Sequence, residues 1–84
     1  MSRRAYRATS VNEVNWEQIA LGKEGFGVTW GVDVGKFDVL VVGRWADERF
    51  ERPWRVKNPR DIPTLVALAK RVQAGRKLVV AMES

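Results

Sequence analysis

The sequence predicts an α/β fold: a three-stranded antiparallel meander, a crossover helix, and a fourth strand parallel to the first, in the order 3-2-1-4. Three observations predict it. Val28 to Val34 is rich in β-branched residues and runs through a glycine turn into a second strand, Phe37 to Val42. Ile62, Leu65, Val66, Ala69 and Val72 then recur at helical spacing. A last apolar run, Leu78 to Met82, follows that helix, and strands joined by a crossover helix in one sheet are normally parallel.

The chain has 84 residues, enough for one small domain. A domain of this size buries roughly 60–65% of its unfolded surface. A hydrophobic content of 45% with four Trp argues for a folded core. No apolar run approaches the roughly 20 residues of a membrane span, and the N-terminal stretch lacks the apolar segment of a secretory signal. There is no Cys and no His. Disulfides, thiolate catalysis, Cys/His zinc sites and a histidine general base are therefore excluded within the chain. The lack of Cys fits a cytoplasmic protein. Any metal here must be held by carboxylates, which favours Mg²⁺ or Mn²⁺. The formal charge of +5 and pI near 10.2 point to a polyanionic partner, of which nucleic acid is the commonest.

Residues 1–26 read as a basic extension and residues 27–84 as the folded unit. Arg3, Arg4 and Arg7 have no acid near them, so this arm is either a phosphate-contacting tail or a solvated terminus. Thr9 or Ser10 is placed to cap a short helix from Val11 to about Leu21, with Glu13 set for a capping box. In the first strand Val28, Trp30, Val32 and Val34 share one face, and Thr29, Gly31 and Asp33 the other. The second strand is apolar on both faces over its second half, as expected of an interior strand covered on two sides. Gly43 marks a bulge or bend, and Ala46 to Glu48 a turn.

Arg49 to Val56 alternates, with Phe50, Trp54 and Val56 on one side and Glu51, Pro53 and Arg55 on the other. Because Pro53 cannot donate to a ladder, this third strand is expected at the sheet edge. Asp61 is the expected N-cap of the helix, with Pro63 in its first turn and Gly75 at its end. The last strand is apolar on both faces, and its outer edge is a predicted site of association.

An Asp inside a strand is costly unless something pairs with it. Asp33 either caps the Gly35-Lys36 turn or serves as a metal ligand. Glu83 lies 50 positions later, just past the last strand, where it is either a solvated terminal residue or a second ligand. Adjacent parallel strands carry their carboxyl ends to one rim, so the two acids can converge. Two close carboxylates repel unless a divalent cation lies between them.

Trp30-Gly31-Val32-Asp33-Val34-Gly35-Lys36-Phe37-Asp38 resembles the opening strand of the RuvC-like, ribonuclease H-fold domain of DEDD transposases. Val56-Lys57-Asn58, followed by an amphipathic helix, is similar to that family's third strand. Val79-Val80-Ala81-Met82-Glu83-Ser84 is similar to the strand that carries its second acid. The resemblance covers about residues 28–84. It implies metal-dependent DNA strand cleavage and transfer, as in DNA transposition and recombination by a mobile element. Asp33 and Glu83 then match the first two of four catalytic, metal-binding acids, with Mg²⁺ or Mn²⁺ as cofactor once the other two are in place.

On this resemblance the chain is expected to be the amino-terminal fragment of a longer recombinase, inactive alone. DNA is the implied partner, a guide RNA a further one, and the full-length protein is expected to be a homo-oligomer. Lys36, Arg44, Arg49, Arg52, Arg55, Lys57 and Arg60 form a basic stretch that could lie along a nucleic-acid backbone. Two alternatives stand beside it. One is an ATP-dependent phosphotransferase of the sugar kinase/actin fold, whose opening hairpin also follows Gly-x-Asp-x-Gly. The other is a non-catalytic nucleic-acid-binding remnant, which needs only charge and fold.

Overall fold

The structure, a computed structural model, describes residues 8–83. The fold is mixed α/β, a five-stranded mixed sheet with two helices. The strands are β1 (Thr9–Ser10), β2 (Val28–Val34), β3 (Asp38–Trp45), β4 (Trp54–Lys57) and β5 (Leu78–Glu83). A 3₁₀ turn (Val11–Glu13) and α1 (Trp16–Ile19) follow β1, and α2 (Ile62–Gln73) links β4 to β5. The sheet order is β1-β4-β3-β2-β5. Pairs β2–β3 and β3–β4 are antiparallel, whereas β2–β5 and β1–β4 are parallel.

The sheet order differs from the four-stranded expectation by β1, a short strand added outside β4. The expected edge position of the Pro53 strand is thereby corrected. Pro53 lies just ahead of β4 and contributes only its carbonyl, which accepts from Thr9 N–H at 3.0 Å. The missing N–H therefore costs no ladder bond.

The run Arg49 to Val56 is also not one strand. Arg44 pairs with Phe50 and Val41 with Trp54, so Val42 and Gly43 oppose the three residues Glu51, Arg52 and Pro53. The extra residue is a bulge, and it inverts the alternation ahead of Pro53. Trp54 and Val56 are buried as expected, but Phe50 turns to the other face and is 68% exposed.

The expected helix from Val11 to about Leu21 is broken in two. Ser10 Oγ accepts from Asn12 N–H and caps the 3₁₀ turn, with no capping box to Glu13. Val14 and Asn15 are extended, and Asn15 Oδ1 accepts from Gln18 N–H to start α1. An N-cap residue needs non-helical backbone, so a second cap within the run interrupts it. The arm with Arg3, Arg4 and Arg7 lies outside the described residues.

One face of the sheet is covered. Trp30, Val32, Val39, Val41, Trp45, Trp54 and Val56 are buried there, with Val72 of α2 and Val11 and Trp16 from the N-terminal segment. Trp16 stacks on Trp45 with ring centroids 5.5 Å apart, and Trp30 meets Trp54 edge to face at 5.2 Å. Gly43 stands in register with Trp30 on this face, where a Cβ would lie 3.8 Å from the indole, at ordinary contact distance. Ile62, Leu65, Leu68 and Ala69 of α2 pack against this core, while Val66 turns outward at 47% exposure.

Coverage on both faces, expected for the second and last strands, is not found. Leu40 and Val42 are half-buried on the opposite face. Val79, Val80 and Met82 of β5 are exposed.

Candidate functional site

The site predicted from the two acids lies where β2 and β5 end. Their parallel register runs from Val28 opposite Leu78 to Asp33 opposite Glu83. The acids are thus neighbouring positions on adjacent strands, and register partners share a face of a sheet. That face is the open one, since Val28, Trp30 and Val32 turn the other way. Leu40 and Arg55 continue the same row outward, so Arg55, Leu40, Asp33 and Glu83 stand side by side across four strands.

Asp33 is exposed, and among the described residues its carboxylate makes no hydrogen bond or ion pair. It does not cap the turn that follows. Gly35 N–H bonds instead to Asp38 O at 2.8 Å. A Cβ on Gly35 would lie 2.8 Å from that same oxygen, so only glycine closes the turn this tightly. Asn58 N–H donates to Phe37 O at 2.9 Å, tying the end of β4 to the same rim.

Beside Asp33 the open face is hollowed. Gly31, Leu40 and Val42 form the floor, and Phe50, Glu51 and Pro53 of the bulged segment form a wall, around a cleft of about 510 Å³. The sequence reading missed Phe50 as a cleft residue because the bulge is invisible to a period-of-two pattern. The one available signal was Pro53 within the run.

The seven basic candidates do not form one track. Arg44, Arg55 and Lys57 occupy open-face strand positions, and Lys36 sits in the turn with its ammonium 5.9 Å from the Phe37 ring centroid. Arg49 pairs with Asp47 at 3.6 Å and Arg60 with Asp61 at 3.2 Å. Arg52 lies in the bulge and is exposed.

Two residues act as structural hubs, Asp61 in place of its expected cap role and Arg76 with no sequence signal. Asp61 stands at the N-cap position of α2, but its carboxylate makes no cap bond to the helix. It accepts from Asn12 Nδ2 at 3.2 Å, from Lys57 N–H at 3.1 Å and from Arg60 Nε at 3.2 Å. The Asn12 bond, then those from Lys57 and Arg60, hold its pKa below the ordinary value of 3.8, against the opposing effect of burial. Arg76 donates to Lys23 O and Phe26 O at 2.8 and 2.9 Å, and its guanidinium lies over Trp16 and Trp45. Nothing in its local sequence marks it.

Among the described residues no group of three or more possible metal ligands is gathered, and no helix is long and apolar enough to cross a membrane. No family model, no curated protein and no solved structure matches this chain.

Proposed function

We propose that this chain carries the first half of a ribonuclease H-like, RuvC-like metal centre that acts on DNA, of the kind used by DEDD transposases. The observation that carries the reading is the parallel register of Asp33 with Glu83 on the open face. The order β4-β3-β2-β5, with β1 outside it, supports the same reading.

Asp33 and Glu83 supply hard, anionic oxygen ligands. Asp33 has no other partner among the described residues to give up. A divalent ion held there supplies Lewis-acid stabilisation of phosphate oxygens. Arg55, one row position beyond Leu40, and Lys57 at the end of β4 hold the phosphate backbone by charge. Gly31, small and open, lets that backbone approach the sheet. Two acids are half of the four-acid set, so cleavage needs two further carboxylates from outside the described residues.

The test is Mn²⁺ binding followed by electron paramagnetic resonance, with and without a short DNA duplex. The expected result is loss of the free-Mn²⁺ signal in the presence of DNA, and its return with Asp33→Asn. Mn²⁺ binding unchanged by Asp33→Asn overturns the proposal. DNA binding that falls steeply with salt but ignores both the metal and Asp33→Asn assigns the chain to non-catalytic nucleic-acid binding instead.

A further inference from the structure

Among the described residues the outer edge of β5 has no partner strand, and its sequence is complementary to itself. Val28 N–H takes the carbonyl of Lys77 at 3.1 Å, so the backbone of position 77 faces β2. Alternation along the strand turns positions 79, 81 and 83 the same way. The N–H and C=O groups of Leu78, Val80 and Met82 are therefore left on the outer edge.

Between Lys77 and Glu83 the strand itself carries none of the side chains that normally blunt an edge. From Leu78 to Met82 there is no proline, no glycine and no charge, and Val79, Val80 and Met82 are 45%, 48% and 67% exposed. The opposite edge of the sheet, β1, spans two residues and cannot match a six-residue strand.

We infer that β5 pairs antiparallel with β5 of a second copy of this chain, about a two-fold axis at Val80. In that register Leu78, Val80 and Met82 lie opposite Met82, Val80 and Leu78 of the second copy. These are the residues whose backbone groups point outward, and the three pairs exchange about six hydrogen bonds. Val79 then lies opposite Ala81. Lys77 lies opposite Glu83 at both ends, so each flanking charge meets its opposite.

A register centred on Val79 or Ala81 loses this charge match and shortens the ladder. The two-fold arrangement makes the contact isologous and closed, and the two sheets join into one of ten strands. The apolar side chains of β5 thereby gain neighbours across the new pair on both faces of the sheet.

Sedimentation in the presence of a chelator tests this without involving any metal. The chain is expected to dimerise reversibly. Lys77→Glu places like charges opposite each other twice and should weaken association about tenfold, and Lys77→Glu with Glu83→Lys should restore it. Because the chain has no cysteine, register is read directly by single-cysteine variants.

An oxidised mixture of Val79→Cys and Ala81→Cys should cross-link, their Cα atoms lying about 4.5 Å apart. Either variant alone should cross-link far less. Val80→Pro removes one outward N–H and leaves the ladder to β2 intact, so it should yield a folded monomer by circular dichroism. A chain that stays monomeric at about 1 mM overturns the inference. So does a dimer indifferent to the charge exchange, or one that fails to join positions 79 and 81.

Discussion

Trp30 and Val80 are register partners on neighbouring strands, yet Trp30 is 1% exposed and Val80 is 48% exposed. The difference lies in what stands opposite each. Trp30 has Trp54 edge-on and Gly43 beside it, under the helical layer. Val80 belongs to the last strand of the sheet, where the helical layer is thin. The N-terminal segment contributes its 3₁₀ turn and α1 to the β4 and β3 side, anchored by Asn12 on Asp61 and by Trp16 on Trp45. One edge of the sheet is thus closed by the N-terminal segment, and among the described residues the other edge is left apolar and bare. Strand register alone does not bury a residue; a second layer does.

Substitution at these two partners should break the comparison most visibly. Trp30→Ala removes a fully buried indole and should cost about 3–5 kcal/mol. That is a large share of the roughly 4–13 kcal/mol that a domain of this size possesses. Val80→Ala should cost less than about 1 kcal/mol in the monomer. Urea denaturation of both variants at low protein concentration measures the contrast. Similar losses at the two positions would show that β5 is as well packed as β2.

Acid should loosen the anchored edge first. The folded-state pKa of Asp61 is depressed, so the stability it contributes is complete above its unfolded value of 3.8. It is lost as pH falls below that value and through the lower folded one. Stability measured across this range should drop more steeply for the natural chain than for Asp61→Asn, which has no charge to lose. Parallel curves would remove Asp61 from the account.

The smallest effect is expected on the outside of the same anchored side. Arg71 of α2 pairs with Glu17 of α1, but the two side chains are 60% and 62% exposed. Arg71→Ala should change stability by no more than about 0.5 kcal/mol, and less at high salt. A larger loss would mean that the ion pair, rather than the Trp16–Trp45 stack, holds α1 down.

Much of the fold was legible in local patterns. The alternation from Val28 to Val34, the helical stripe from Ile62 to Val72 and the start of α2 just ahead of Pro63 are short-range consequences of side-chain periodicity and of the fixed backbone angle of proline. The parallel approach of β5 to β2 followed from a crossover helix joining two strands of one sheet. The adjacency of Asp33 and Glu83 followed from that in turn. What escaped was each feature that depends on a partner distant in sequence. The Phe50 bulge, the pairing of Thr9 with Trp54 and the seat of Arg76 on two tryptophans leave no periodic trace.

The residue sequence, taken alone, determined that this is a small, basic, cysteine- and histidine-free α/β domain whose strands and main helix fall where apolar side chains recur. That much is local, because backbone preference and side-chain period act over a few residues. Tertiary structure alone decided which face of the sheet is covered, which edge is closed, and that Asp61 ties β4 to the N-terminal turn instead of capping its own helix. Those outcomes depend on which distant surfaces fill the space above each strand, and packing in three dimensions is not written in any single window of the chain.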